Sequence, residues 1–162
     1  MFITHLTLRN FRCFSSLDVS FTASRIVIEG ENGSGKSSIA EALYYACYLK
    51  SFRTHRASDV ARFGDENTFF LRLSGCQANG ESFAIQIGFE EGVKRVKVND
   101  QIVDAYKDIL DIYKVVLASE HDLAIIQEGP DVRRAFINQV CLLRDANFAD
   151  VLRLNKHVAD QR

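Results

Sequence analysis

Lys36 and Ser37 close the run Gly30-Glu31-Asn32-Gly33-Ser34-Gly35-Lys36-Ser37, a G-x-x-x-x-G-K-S pattern whose residue types suit one chemistry, the grip on a phosphate chain. The lysine ammonium would neutralise β- and γ-phosphate oxygens, and the serine hydroxyl would complete the coordination of Mg²⁺. Glycines at Gly30, Gly33 and Gly35 let the backbone curl closely around an anion. The grip needs a helix start, because the first N–H groups of a helix lack partners and carry partial positive charge. Both flanks are present in the sequence. Arg25-Ile26-Val27-Ile28-Glu29 reads as a buried strand, and Ser38-Ile39-Ala40-Glu41-Ala42-Leu43-Tyr44-Tyr45 has helical spacing. The candidate nucleotide site is Gly30 to Ser38, with a nucleotide and Mg²⁺ as its ligands and Ser37 as the residue on the metal.

Around that unit the pattern is β-rich. Ile3, Leu6, Leu8 and Phe11 mark a first strand, and Phe14 to Phe21 a second that pairs with it. Ser51 to Gly64 is polar, basic and loop-like, with a short helix expected over Ala57 to Phe63. Strands follow at Phe69–Leu73, Phe83–Phe89 and Val93–Val98, the last turning at Asn99-Asp100 into Gln101-Ile102-Val103 as a hairpin. Tyr113 to Ala118 reads as a buried strand. Pro130 suits a first helical turn, and Asp131–Leu143 and Asn147–Gln161 carry helical periodicity. The run ends at Asp160-Gln161-Arg162 without a capping glycine or a following proline, which suggests a truncated chain or the head of a longer one.

Composition narrows the classes. With 162 residues, 47% hydrophobic and 25% charged, the chain has room for one domain with a real core. Cys13, Cys47, Cys76 and Cys141 show no C-x-x-C spacing, which argues against a zinc site or a disulfide framework. No apolar run approaches the roughly 18 residues of a membrane span. The start lacks the basic and apolar regions of a signal peptide, so the expected compartment is the cytoplasm. A net charge of −1 hides basic spots: Lys50, Arg53, Arg56 and Arg62 against Asp59 alone give a local +3, with Lys94-Arg95-Lys97 and Arg133-Arg134 further on. The bland reading of each spot is a solvated face; Arg53, Arg56, Arg133 and Arg134 are the candidate contacts to DNA phosphates, and Arg53 and Arg56 could meet a partner head instead. Adjacent on a helix, Arg133 and Arg134 diverge by about 100°, so one is expected to reach phosphate while the other pairs with Asp131 or faces solvent. No aromatic stacking platform for single-stranded bases is visible.

Two stretches imitate further motifs. Leu73-Ser74-Gly75-Cys76-Gln77 looks like an L-S-G-G-Q signature, but it stands between two β-runs and reads as a polar turn. Val115 to Glu120 imitates an acidic Walker B strand, with the acid displaced from the strand end by Ser119.

Leu6-Thr7-Leu8-Arg9-Asn10-Phe11-Arg12 followed by the glycine loop resembles the ATPase heads of structural-maintenance and Rad50-like proteins. Glu41 to Tyr45, Ser51-Phe52-Arg53-Thr54-His55-Arg56, Arg62-Phe63-Gly64, Asp122 to Ile126, Pro130 and Arg133-Arg134-Ala135-Phe136 narrow the likeness to the RecF recombination-mediator family. Asn155 to Arg162 is similar to the point where that family's head runs into its helical arm. The resemblance implies an α/β P-loop NTPase, an ABC-type head with an antiparallel β-rich portion. Residues 1–162 would be the N-terminal part of that head and residues 146–162 the start of the arm. It further implies a nucleotide contact for Arg12 and an ATP-binding role in DNA repair, recombination, replication and the SOS response. DNA at single-strand/double-strand junctions, mediator proteins and a second ATPase head would be the partners.

Departures from the family pattern fall at Ala118 to Leu123, at Glu128-Gly129-Pro130 and at Asn138, where the family has aspartate. The family's signature loop, acidic Walker B pair and switch histidine would all lie beyond Arg162, so very slow hydrolysis is expected. Two other readings stand beside this one. One is a small P-loop phosphotransferase complete at this length, with Glu120 on Mg²⁺; the other is a non-hydrolysing DNA-binding or regulatory fragment.

Overall fold

Strict alternation of apolar and polar side chains builds one antiparallel sheet from the first two-thirds of the chain. In the computed structural model the strands are β1 Phe2–Phe11, β2 Phe14–Ser20, β3 Thr68–Cys76, β4 Ser82–Glu90, β5 Val93–Val98 and β6 Gln101–Ile102, in the order β2-β1-β3-β4-β5-β6. The structure describes residues 2–64, 68–103, 107–110, 112–118, 124–145 and 147–160, with the backbone alone at 107, 124 and 156–160. Two compact units are present, Met1–Val115 and Val116–Arg162.

Register places like beside like. Leu6 faces Leu73, which faces Ile85, which faces Val98; one step along the strands, Leu8, Leu71, Ile87 and Val96 form a second row. All eight are buried, and the intervening Arg72 and Gln86 lie on the opposite face. The expected hairpin is present: Asn99 and Asp100 both take positive φ, 49° and 65°, as a two-residue turn between twisted strands requires.

Helix α1, Lys36–Tyr48, lies against β3 and β4 of this sheet. Ala42 and Ala46 keep its buried face thin, and Tyr45 meets Phe69 and Phe11 edge-on at 5.5 and 6.4 Å. Phe69 in turn stacks on its cross-strand partner Phe89 at 5.3 Å. Leu49 ends the helix in a left-handed conformation, its N–H bonded to the Tyr45 carbonyl. Within the basic loop only Ser58–Val60 coils, as a single 3₁₀ turn.

Two expected strands are absent. Arg25 to Glu29 forms no ladder, and Ile26, Val27 and Ile28 are exposed, Val27 to 80%. Tyr113 to Ala118 is likewise extended without strand pairing: Tyr113 is buried, but Val116 is 80% exposed. The physical reason is common to both. An apolar run states what a segment is able to bury, whereas a strand also needs a neighbour to complete its hydrogen bonds, and no described residue supplies one. The imitation signature corrects in the other direction. Leu73 to Cys76 is the end of β3 rather than a turn, and a Cβ on Gly75 would come 2.6 Å from the Phe2 carbonyl oxygen and 2.7 Å from the Phe83 ring.

Helix α2, Lys107–Leu110, anchors Ile109 and Leu110 in the first unit. In the second unit α3, Ala124–Gln127, precedes α4, Pro130–Arg144, which opens with its proline in the first turn as expected, and α5 spans Phe148–Asp160. Among the described residues no helix is long and apolar enough to cross a membrane.

Candidate nucleotide-binding site

The loop Gly30 to Gly35 ends where α1 begins, and Gly35 is the hinge between them. Its φ of 98° lies in the left-handed region, and a Cβ there would meet the Phe14 ring at 2.5 Å and Cys13 Sγ at 2.7 Å. Gly33 also has positive φ, 85°, and points into open space. Ser38 and Ile39 both return their N–H groups to the Gly35 carbonyl, which starts the helix. No acidic residue occupies the first turn, so the positive end of α1 stays uncompensated for an anion.

Lys36 folds over its own loop, with Nζ donating to the carbonyls of Gly30 at 2.8 Å and Glu31 at 2.7 Å. Its charge is thereby held at the rim of the loop, where a phosphate oxygen would exchange with two neutral carbonyls. Ser37 is exposed and its hydroxyl has no partner among the described residues, whereas Ser38 is buried, 4.0 Å from Cys13 Sγ. Glu31, Asn32 and Ser34 stand exposed along the loop, and Ser34 N–H closes a turn on the Glu31 carbonyl at 3.2 Å.

Glu41, one turn into α1, is the residue that motif reading missed. It is 0% exposed and receives Arg12 through both oxygens, Nε to Oε2 at 2.9 Å and Nη2 to Oε1 at 2.5 Å. Ser51 Oγ donates to Glu41 Oε1, and Arg53 Nη1 lies 3.6 Å from Oε2. Arg12, in the β1–β2 turn with φ of 54°, also donates to the Asp59 carbonyl at 2.5 Å. One buried carboxylate therefore ties the β1–β2 turn and the basic loop to the helix that carries the phosphate loop. The available signal was a lone acid inside an otherwise apolar helical stripe, followed by Ser51 and then by Arg53 and Arg56.

Arg12, Cys13, Ser38, Arg53, Asp59 and Phe63 line a cleft of about 750 Å³ beside the first turn of α1. The fold thus brings Arg12 and Arg53 to the neighbourhood of Ser38. Arg56 lies further along the loop, its backbone N–H bonded to Thr54 Oγ1 at 3.3 Å. In the second unit Arg134 pairs with Asp131 at 2.9 Å, and Arg133 donates to the Glu128 carbonyl at 2.9 Å. The imitation Walker B acid, Glu120, lies outside the described residues, as do Ser119 and Asp122.

Comparison with known proteins gives this geometry relatives. The AAA domain family model matches residues 5–157. A protein of Leptospira interrogans called DNA replication and repair protein RecF is 38% identical over 141 residues, covering 85% of this chain and 38% of its own length. The protein of that description from Clostridium botulinum strain Eklund 17B is 28% identical over 157 residues, covering 96% of this chain and 43% of its own. The solved structure of the recombination mediator protein RecF-ATPrS in the RecFOR pathway superposes with a TM-score of 0.88 at 30% identity, over 98% of this chain and 43% of that one. An SMC head domain from Thermotoga maritima, at TM-score 0.54 and 21% identity, shares the fold. The chain spans about two fifths of the length of the RecF relatives it matches.

Proposed function

The chain belongs to the AAA domain family and matches RecF proteins over nearly all of its residues, and from that premise we propose that it binds ATP as part of a RecF-like DNA replication and repair protein. The observation that carries the reading is the glycine loop at the bare N-terminus of α1, with Lys36 poised over it and Ser37 facing out. Loop amides and Lys36 neutralise phosphate charge. Ser37, exposed and unpartnered among the described residues, fits a Mg²⁺ ligand; bound with the nucleotide, the ion would spread charge over the phosphate oxygens. Arg12 contributes from the β1–β2 turn.

Under this reading residues 1–162 form part of one ATPase head, with a helical arm starting at 146. The head works in the cytoplasm on DNA at single-strand/double-strand junctions, with mediator proteins and a second head, in recombination and the SOS response. Arg53 and Arg56, together with Arg133 and Arg134, are its contacts to DNA phosphates. The matched RecF structures, one with ATPrS and one with ATP, support the choice of nucleotide.

Titrating a fluorescent ATP analogue into the parent and Lys36→Ala tests the core of the proposal. Removing a charge-assisted phosphate contact of about 1.5–3 kcal/mol should weaken binding roughly tenfold or more. Equal dissociation constants would defeat it.

A further inference from the structure

Two basic spots that lie apart in the sequence meet in the first unit. Lys94 of β5 passes over Tyr45, its Nζ 5.1 Å from the ring centroid, and donates to the Leu49 carbonyl at 2.5 Å. It thereby joins Lys50, His55 and Arg56 from the loop after α1 around a cavity of about 40 Å³, which Tyr45 and Ser51 also line. Among the described residues no carboxylate lines this cavity, and the side chains of Lys50, His55 and Arg56 have no ion-pair or hydrogen-bond partner there. Positive charge is gathered here, and Glu41 and Asp59 meet the lining through the hydroxyls of Ser51 and Thr54.

A second observation, independent of charge, points to a ligand. Tyr45 is 1% exposed, and its hydroxyl is a buried polar atom with no hydrogen-bond partner among the described residues. Buried donors are nearly always satisfied, so an orphan on a residue that lines the cavity needs an explanation. Burial also draws the Lys94 ammonium below the ordinary lysine pKa, a penalty that an anion at its side would reverse. The cavity has the size for one or two waters or one corner of a tetrahedral oxyanion and is too small for a base or a sugar.

We propose that this cavity is a phosphate subsite, separate from the Gly30–Ser37 loop, that seats a phosphodiester oxygen of a nucleic-acid backbone. Lys94, Lys50 and Arg56 supply the charge, and the Tyr45 hydroxyl is the neutral donor. It deepens the nucleic-acid reading of the preceding section and rests on it. It also explains how a chain of net charge −1 holds a polyanion: strand β5 lends a lysine to the loop that follows α1.

The test uses the whole chain, its Lys94→Gln and Tyr45→Phe variants, and fluorescence anisotropy on duplex DNA from low to physiological salt. Melting curves confirm that each variant folds, and ATP-analogue titration monitors the glycine loop. Lys94→Gln should weaken DNA binding about five- to tenfold at low salt and flatten the slope of log K against log salt by about one. Tyr45→Phe should weaken binding without altering the slope, and nucleotide affinity should stay within about twofold. In a Lys36→Ala background, inorganic phosphate but not chloride should also move the ε-methylene NMR signal of Lys94. A Lys94→Gln chain with the parent's affinity and slope would overturn the nucleic-acid assignment and leave free phosphate as the source if the signal still moves. An unmoved Lys94 signal would overturn the subsite itself. A parent chain that binds no DNA would instead fault the underlying reading.

Discussion

Glu41 is surrounded by partners rather than by water, and those partners are unequal. Arg12 satisfies both oxygens in a fork, whereas Arg53 is half-exposed and stands 3.6 Å away. Arg12→Ala would leave a buried carboxylate undercompensated, a loss of about 3–5 kcal/mol. Arg53→Ala removes a solvent-screened contact, about 1 kcal/mol or less. Urea unfolding of the two variants should therefore show widely separated midpoints, and coincident midpoints would mean that the buried pair does not hold the helix and the loops together. Cys47 gives a second residue-scale test. Burial pushes its thiol up to about 11, and its Sγ donates to the Tyr113 carbonyl at 3.3 Å, while Cys13 is exposed. At pH 8 the Cys47 thiolate fraction would be on the order of one thousandth. Iodoacetamide should modify Cys13 in the native chain and reach Cys47 only on unfolding; mass spectrometry showing equal rates would refute the burial.

At the scale of elements, what the sequence reveals depends on whether a segment carries its own partner. The strands β1 to β6 were legible because each is followed or preceded by the strand that pairs with it, and alternation alone then fixes the buried face. The glycine loop and α1 were legible because the constraint is local: φ at Gly35 and the helix start both sit within the motif. Ile26 to Ile28 and Tyr113 to Ala118 carry apolar composition but no adjacent partner, and their status as strands could not be read locally. Glu41 was visible only as an odd acid, because its role depends on Arg12, 29 residues earlier in the chain, and on Ser51 in a later loop. Hydrogen exchange should reproduce this division. Amides of Leu71, Leu73, Ile85 and Ile87 should be protected close to the global unfolding limit, and those of Val27 and Ile28 should exchange orders of magnitude faster. Comparable protection in both sets would show that the 25–29 segment pairs in solution.

For the molecule as a whole, binding and turnover draw on different parts. On the proposed reading Lys36 and the loop amides would neutralise phosphate charge and Ser37 would hold Mg²⁺, and together they would hold the nucleotide. Hydrolysis additionally needs a group that orients water and donors that stabilise the transferring phosphoryl group. By resemblance to RecF heads those come from an acidic Walker B pair and from the signature loop of a second head, while this chain matches only about two fifths of its relatives' length. The 162-residue chain should therefore bind ATP yet release phosphate far more slowly than the roughly one per second or faster of complete phosphotransferases. On that reading a second copy brings another glycine loop but not the signature loop, so raising the concentration should leave the rate per chain unchanged. Phosphate release measured across a hundredfold range of protein, with Lys36→Ala as the background, decides the matter. A rate of about one per second that vanishes in Lys36→Ala would place a complete catalytic set within these residues and favour a self-sufficient phosphotransferase over part of a two-headed ATPase.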